Sequence, residues 1–289
     1  MMRLMTFGYR GQDHAGVLAP GGIAPVLEIN SKFDLRLPNT VLGIIQQDVR
    51  EIPVAGIRPI PLEEVEPRLP YAAPPKIWCI GLNYLSHAQD IQARQPEEPG
   101  SFMKPASALF EPGGEIRLPP VEIASEVDAE GELGVVIGKE CRDVPVVLVP
   151  EVILGYTTTL DLTALDVLRR NTRYLTRAKS FDTFFSFGPV IVTKDEVPDV
   201  NAVEVITEHN GAPFSRDHVR HMAHRPFELV SFHSKVFTWQ PGDILSTGCP
   251  KGARIQPGDR VAARLEGIGF LDATVTRRHP GLYIAGRTP

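Results

Sequence analysis

Two stretches in the middle of the chain carry the run of apolar residues that is typical of buried β-strands. The first, 126–138, has four acidic residues in its first seven positions and then continues into a β-branched run that a glycine ends. The second, 151–161, is equally apolar and ends on Asp161. Residues 162–170 have helical spacing, and Asp161 or Thr163 is positioned to cap that helix.

The rest of the pattern predicts short strands punctuated by glycine and proline, with few helices. A short helix is expected at 41–47 and an amphipathic helix at 227–237. Strands are expected at 5–9, at 15–19, at 76–81, on both sides of a loop within 190–206, and after the Gly-Asp turns at 242–243 and 258–259. These repeated short strands indicate an α+β protein with a β-rich core.

Composition and charge narrow the classes of partner. The chain has 289 residues and a formal net charge of −5, so there is no electrostatic reason to expect nucleic acid or an anionic membrane. The sequence opens without the long apolar core of a signal peptide, and no uninterrupted apolar stretch is long enough to span a bilayer. Cys79, Cys141 and Cys249 have neither disulfide-framework nor metal-ligand spacing, which favours a reduced, cytoplasmic protein.

The acidic residues of the first strand suggest a cation site. Glu130 and Glu132 stand at i and i+2, so on a strand their carboxylates share a face. Two like charges at a buried strand end are costly, so either this is a solvated strand start or a cation binds there. Asp161 at the end of the second strand could supply a third carboxylate. No imidazole or thiolate lies in this cluster, which favours Mg²⁺ or Mn²⁺ over zinc or copper.

A histidine and an aspartate offer a second kind of chemistry. His87 and Asp90 are neighbours if their segment is helical, because they stand at i and i+3. An aspartate beside an imidazole orients the ring and raises its basicity, as in a general base that activates water. The alternative is a surface His-Asp pair on an amphipathic turn.

Several short motifs, taken together, resemble the fumarylacetoacetate hydrolase family. They are Ile80-Gly81-Leu82-Asn83-Tyr84 with His87, Phe102-Met103-Lys104-Pro105, Glu130-Gly131-Glu132-Leu133-Gly134, Gly155-Tyr156-Thr157 with Asp161, Lys179-Ser180-Phe181-Asp182, Asn210-Gly211, Pro241-Gly242-Asp243, Thr247-Gly248, and Glu266-Gly267-Ile268-Gly269. Their order and spacing make the resemblance specific over about residues 71–289. It implies the family's fold, a mixed β-sheet roll or barrel with peripheral helices.

The resemblance also implies a domain organisation. Residues 1–70 look like a small α+β module with few catalytic residue types, and the proline-rich stretch 69–76 reads as an extended linker. Members of the family often carry such a module, so we expect an N-terminal domain at 1–70 and a catalytic domain at 71–289. Relatives pair through the catalytic domain, which predicts a homodimer.

Roles for individual residues come from the resemblance. Glu130, Glu132 and Asp161 would hold Mg²⁺, or Mn²⁺, with Ca²⁺ as a substitute in crystals. His87 and Asp90 would activate water from a lid. Lys179 matches the family's active-site lysine, and its charge would balance the excess of one negative charge that three carboxylates and one dication leave. The expected substrate-binding residues are Tyr84, Lys104, Arg216, Thr247, Gly248 and Cys249.

Arg216 lies in a cluster of arginines and histidines. His218, His221 and His224 have a spacing of three that would stack them on one helical face, and no second type of metal ligand is expected near them. We interpret the cluster as the rim of the pocket or a subunit contact, where arginine binds the carboxylates of the substrate.

Two residues depart from the family's pattern. Leu165 stands where relatives commonly have arginine, which predicts a more apolar pocket. Cys249 replaces a hydroxyl-bearing residue, and we interpret it as a packing substitution because no electropositive surroundings that would make it a nucleophile are evident.

Three functions remain open from the sequence. The first is a metal-dependent hydrolase that cleaves a carbon-carbon bond in a β-diketo acid or acylpyruvate-like substrate. The second is a lyase at the same site, either an oxaloacetate-type decarboxylase or an enol-acid hydratase or isomerase. The third is a binding protein for small anionic keto acids that has lost its catalytic activity, as Leu165 and Cys249 would allow.

Overall fold

A computed structural model describes residues 1–84 and 97–277 of the chain. The predicted fold class, α+β and rich in strands, is confirmed. The strands are β1 (Arg3–Tyr9), β2 (Gln12–Ala19), β3 (Gly22–Pro25), β4 (Glu66–Pro67), β5 (Ile77–Gly81), β6 (Gly100–Lys104), β7 (Glu115–Leu118), β8 (Val127–Ile137), β9 (Ile153–Ala164), β10 (Phe185–Phe187), β11 (Val190–Thr193), β12 (Glu204–His209), β13 (Ala212–His218), β14 (Ile244–Ser246), β15 (Ala253–Ile255), β16 (Arg260–Leu265) and β17 (Gly269–Arg277).

The helices are short and lie at the periphery. They are α1 (Val26–Phe33), α2 (Val41–Gln46), α3 (Val149–Val152), α4 (Leu165–Arg170), α5 (Leu175–Lys179) and α6 (Pro226–Ser234). The helices predicted near 41–47 and 227–237 are therefore confirmed. None of the helices in the described part of the chain is long and apolar enough to cross a bilayer.

Two long strands, β8 and β9, form the centre of the molecule. Every residue of β9 is buried, and only one residue of β8 is partly exposed, as expected for strands covered on both faces. The strands pair antiparallel along their length, and Glu130 lies directly opposite Asp161. This register brings the acidic residues of two separate sequence stretches side by side.

Two sheets enclose these strands. In the described residues, the larger sheet has the order β3-β2-β1-β11-β9-β8-β14-β5-β6, with β4, β10 and β15 attached at its sides. The smaller sheet has the order β13-β12-β16-β17-β7 and packs across β8 and β9. The apolar cluster between them includes Ala129, Leu160, Leu162, Ala263 and Leu271. The acidic residues of β8 and β9 thus lie on strands that are packed from both sides.

The N-terminal residues join the same large sheet. Strand β1 pairs antiparallel with β2 and also with β11. Leu4 and Ile44 belong to one buried apolar cluster with Phe187 and Ile191. The domain boundary near residue 70 stays a prediction, and a shared sheet and core connect the residues on its two sides.

The predicted start of the helix after Asp161 was wrong. Strand β9 continues to Ala164 and the helix begins at Leu165, so neither Asp161 nor Thr163 caps it. The reason is the ladder to β8, in which Leu162 and Thr163 still have partners across the strand pair. Tertiary pairing here overrides the local helical spacing, and it turns Thr163 toward the acidic site.

Candidate functional site

Strand β8 carries two glutamates that are almost fully buried. Glu130 is 7% exposed and Glu132 is 1% exposed. Thr163 Oγ1 donates a hydrogen bond to Glu130 Oε1 at 2.6 Å. Ser246 Oγ and the Gly248 amide donate to Glu132 Oε2 at 2.6 and 2.9 Å. These donors fix the direction of both carboxylates, as charge-assisted hydrogen bonds do.

The glycine between the two glutamates allows the smaller sheet to approach closely. A Cβ on Gly131 would lie 2.9 Å from Thr207 Oγ1 and 3.0 Å from Ala263 Cβ. The Gly131 amide also donates to Thr207 Oγ1 at 3.0 Å. Any side chain at this position would push β8 away from its neighbour, so the glycine holds the backbone that carries both carboxylates.

Asp161 is held by two lysines. Lys179 Nζ donates to Asp161 Oδ2 at 2.6 Å and to Glu130 Oε2 at 2.8 Å. On the other side, Lys104 Nζ lies 2.5 Å from Asp161 Oδ1. Two ammonium groups therefore face the carboxyl groups of Asp161, Glu130 and Glu132, so one negative charge is left over when all three are ionised.

Lys104 does not lie where a substrate-binding residue is expected. Its side chain is 0% exposed, and its ammonium also donates to the carbonyl oxygens of Leu162, Lys179 and Phe184 at 3.1, 2.6 and 2.7 Å. Protein acceptors therefore occupy the whole ammonium group. Its contact with substrate stays a prediction, and in this structure Lys104 positions Asp161.

Burial and crowding of charge change the pKa values at the site. Burial, together with the nearby Asp161 and Glu130, raises the pKa of Glu132 to about 8. Burial by itself would lower the pKa of Lys179, but Asp161, Glu130 and Glu132 outweigh it and hold that pKa well above its usual value. Lys179 therefore stays protonated near neutral pH. Glu132, in contrast, changes its protonation state close to that pH.

Cys249 lies beside the two glutamates, so the expectation that no cysteine sulfur lies in the acidic cluster was wrong. One ligand atom each from Glu130, Glu132 and Cys249 lies within 4.8 Å of the others. Burial and then the two carboxylates raise the pKa of the Cys249 thiol well above its usual value. The thiol is therefore protonated near neutral pH, which supports the interpretation that Cys249 is not a nucleophile.

A cavity of about 350 Å³ opens next to these groups. A volume of this order is typical of pockets that bind small molecules. Its described lining residues are Ile80, Gly81, Leu82, Gly100, Ser101, Phe102, Asp128, Glu130, Glu132, Thr163, Leu165, Leu168, Thr172, Leu175, Lys179 and Cys249. The acidic pair lies in one part of the wall and leucines form much of the remainder.

Three other residues that the sequence analysis proposed to bind substrate, Tyr84, Arg216 and Thr247, are not among the described residues that line the cavity. Thr247 Oγ1 donates to the Leu133 carbonyl at 2.8 Å, so its side chain holds the strand end. Tyr84 is fully buried, and its hydroxyl has no hydrogen-bond partner among the described residues. Arg216 is exposed on the edge strand β13 and is not among the described residues that line the cavity. Their substrate contacts stay predictions, and His87 and Asp90 lie outside the described residues.

The histidine cluster is not helical, contrary to what its spacing predicted. His218 ends β13, and His221 lies in a short 3₁₀ turn. The expectation that no second ligand type is near was also wrong, because Asp217 Oδ1 is 2.5 Å from His221 Nδ1. Asp217, His218 and His221 each have a ligand atom within 4.8 Å of the others, and His224 is not part of this group. A role at the pocket rim or a subunit contact stays a prediction.

Sequence reasoning missed two hydroxyl groups that orient the glutamates. Thr163 stands two residues after Asp161 on β9, so strand alternation could have placed both on one face. Ser246 is different, because β14 reaches Glu132 only through its pairing with β8. No local signal in the sequence identifies that partner.

The chain is similar to known proteins over most of its length. The family described as fumarylacetoacetate (FAA) hydrolase C-terminal matches residues 76–276. The mitochondrial oxaloacetate tautomerase FAHD2B of Homo sapiens is 32% identical over 287 residues, which cover 93% of this chain and 90% of that protein.

Two crystal structures are also similar. The 2-hydroxyhepta-2,4-diene-1,7-dioate isomerase from Mycobacterium marinum has a TM-score of 0.77 and 32% identity, covering 97% of this chain and 100% of that one. The maleylpyruvate hydrolase from Sphingobium sp. SYK-6, in complex with manganese(II) and pyruvate, has a TM-score of 0.79 and 28% identity, covering 96% and 100%. The similar proteins thus include a tautomerase, an isomerase and a hydrolase.

Proposed function

Because the chain belongs to the fumarylacetoacetate hydrolase family, we propose that it is a divalent-metal-dependent enzyme that forms the enolate of a small 2-keto acid. The observation that carries this proposal is the pair of buried glutamates, Glu130 and Glu132, in the wall of a cavity of about 350 Å³. Tautomerases, isomerases and hydrolases of keto acids differ in the fate of the enolate, so its formation unites the activities named for the similar proteins.

The residues present fit a hard dication. Glu130 and Glu132 would hold it, with Asp161 as the third ligand that the sequence predicts. The Lys179 ammonium already lies between Glu130 and Asp161, which indicates that the fold accepts positive charge there. Carboxylate oxygens suit Mg²⁺ and Mn²⁺. When bound, such an ion supplies Lewis-acid stabilisation of the negative charge on an enolate oxygen.

Metal affinity is expected to fall as the pH is lowered below about 8. The pKa of Glu132 is raised to about 8, so at lower pH its carboxyl group holds a proton that the ion must displace. The apparent affinity should therefore fall by up to about tenfold per pH unit and level off above pH 8. Calorimetric titration with Mn²⁺ at several pH values checks this. Equal affinity at about pH 6 and about pH 9 would show that Glu132 is not a ligand.

The chain's own groups prepare the site for a developing anion. Lys179 keeps its proton, so its contribution is positive charge beside the carboxylates and not proton abstraction. Thr163 and Ser246 hold the two glutamates in place before substrate arrives. The apolar side chains of Leu165 and Leu168 line the same cavity and lower the polarity around these charges, which strengthens the electrostatic interactions there.

We propose hydrolysis of a carbon-carbon bond in a β-diketo acid as the net reaction. The cavity supports this, since about 350 Å³ leaves room for an acyl group beyond the keto-acid end. The sequence assigns activation of the attacking water to His87, with Asp90 orienting its ring. Both residues lie outside the described part of the chain.

Tautomerisation or isomerisation of the same kind of acid is the second candidate. The similarity to the human oxaloacetate tautomerase over 93% of the chain favours it. Such a reaction needs only proton transfer to and from the enolate, so the water that a hydrolase requires would have no role. The products separate the two candidates.

Turnover of a 2,4-diketo acid is expected to require a dication and to give two fragments. Proton NMR would follow acetylpyruvate or oxaloacetate with the protein, after a chelator, and after Mg²⁺ or Mn²⁺ is returned. Hydrolysis of acetylpyruvate consumes one water and releases pyruvate and acetate, whereas tautomerisation cleaves no bond between carbons and only speeds the approach to keto-enol equilibrium. Full activity in excess chelator, or no conversion with any dication, would contradict the proposal. The second result would instead favour a binding protein.

A further inference from the structure

The cavity wall away from the glutamates is apolar. Four leucines from three parts of the fold contribute to it, and Phe102 on β6 completes it. The leucines are Leu82 after β5, Leu165 and Leu168 on α4, and Leu175 on α5. All four leucines are only partly buried, so part of the apolar surface of each remains open where it lines the cavity. Apolar surface left open at a cavity is typical of a ligand contact.

The cations near this wall are already bound by protein groups. Lys179 is the one cationic residue among the described lining residues, and both Glu130 and Asp161 hold its ammonium. Arg169 and Arg170 come after the wall leucines on α4, but their guanidinium groups contact carboxylates outside the cavity. Among the described lining residues, a carboxylate at the far end of a substrate would therefore meet apolar surroundings and no unpaired cation, which is costly.

An acidic side chain makes a second carboxylate still less favourable. Asp128 also lines the cavity, and Arg254 Nε pairs with it at 2.5 Å. Another anion beside Asp128 would add to the repulsion.

We propose that the substrate is a 2-keto acid whose far end is an apolar alkyl or aryl chain rather than a second carboxylate. This inference rests on the proposed function. The keto-acid end lies at Glu130 and Glu132. The apolar chain lies against the leucines, and Leu165 determines the preference because it opens α4 between the acidic pair and the rest of that wall. Oxaloacetate has a carboxylate at each end. A preference for an apolar far end therefore differs from the specificity of a protein that acts on oxaloacetate.

Chain length is the first test. For 2,4-diketo acids with straight alkyl ends, kcat/KM should rise by about three- to fourfold per added methylene until the cavity is filled. The same chains ending in a carboxylate should be at least about tenfold poorer. Binding of N-alkyl oxamates, measured by calorimetry with Mn²⁺ present, should show the same two trends without turnover.

Leu165→Arg is the decisive variant, because it adds a cation to a wall whose described residues include none besides Lys179. The ratio of kcat/KM for the carboxylate-ended over the alkyl-ended acid should increase by about tenfold to a hundredfold. Leu165→Met keeps the apolar character and should retain the wild-type preference. Leu27→Arg adds the same charge on α1, where Leu27 is 49% exposed. This control should leave the ratio of kcat/KM for the two acids at its wild-type value.

The outcomes separate this inference from the proposed function. If Leu165→Arg fails to fold, Thr172→Arg supplies the same charge from an exposed lining position. Wild-type preference for carboxylate-ended acids, in turnover or in oxamate binding, would overturn the inference while leaving keto-acid chemistry intact. Oxamates that bind with equal affinity at every chain length, or that do not bind, would also overturn it. Absence of all turnover while longer oxamates bind more tightly would reject only the proposed reaction.

Discussion

Replacing Glu132 by glutamine is expected to lower kcat/KM by at least about a thousandfold, because it removes a negatively charged ligand from a site whose chemistry depends on a bound dication. The fold should not change. The amide oxygen can still accept the hydrogen bonds from Ser246 Oγ and the Gly248 amide. Because the pKa of Glu132 is about 8, the metal-free protein at neutral pH already carries a mostly protonated, neutral group there.

The matched control for this variant is Glu122→Gln, which makes the same change at an exposed position. Its kcat/KM should equal that of the wild type, and both variants should melt within a few degrees of it, since neither removes apolar packing. Steady-state kinetics and thermal melting check the pair. Activity of Glu132→Gln within about tenfold of the wild type would show that Glu132 is not a ligand on which catalysis depends.

Replacing Lys179 by methionine should lower the free energy of unfolding more than any other substitution proposed for this protein. Its ammonium bridges Glu130 and Asp161 inside the protein, and methionine leaves those two carboxylates and Glu132 with Lys104 alone. Removing one partner of a buried ion pair costs about 3–5 kcal/mol of unfolding free energy. Denaturant unfolding of metal-free protein measures this loss. Mn²⁺ should restore part of it, because a dication returns positive charge to the site.

Lys139→Met is the control for the lysine variant. Lys139 is 47% exposed at its side chain and lies 3.7 Å from Asp48, so its loss should cost less than about 1 kcal/mol. If Lys179→Met unfolds at the same denaturant concentration as Lys139→Met, the carboxylates do not need the buried ammonium. If Mn²⁺ stabilises neither wild type nor Lys179→Met, the site does not hold this ion.

Much of the acidic centre could be predicted because it depends on short-range geometry. Side chains alternate along a strand, so Glu130 and Glu132 had to share a face once 126–138 was taken as a strand. The β-branched run after them made that interpretation secure. The meeting of these residues with Asp161 depends on the register of β8 against β9, which local patterns do not contain.

Failures of prediction arose where tertiary contacts decide the outcome. The spacing of 162–170 is helical, yet pairing with β8 extends the strand to Ala164. The enclosure of the Lys104 ammonium by three carbonyl oxygens and Asp161 is likewise a set of tertiary contacts that no local pattern contains. Asp217 was overlooked beside the histidines, and the turn that follows β13 brings His221 next to its carboxylate.

The effect of Leu165, which departs from the family's pattern, could be predicted only in part. The sequence indicated a more apolar pocket, and Leu165 does line the cavity together with Leu168 and Leu175. The pattern alone could not show that the two arginines at the end of α4 are bound to carboxylates elsewhere. That observation needs the side-chain contacts, and it makes substrate preference a testable property of one residue.

The central claim is that Glu130 and Glu132 hold one hard dication beside the cavity. Electron paramagnetic resonance of free Mn²⁺, titrated into wild type and Glu132→Gln at about pH 8, tests it most directly. The account predicts that wild type removes one equivalent of ion from solution per chain and that the variant removes none at the same concentration. Equal uptake by the two proteins, or no uptake by the wild type, would contradict it.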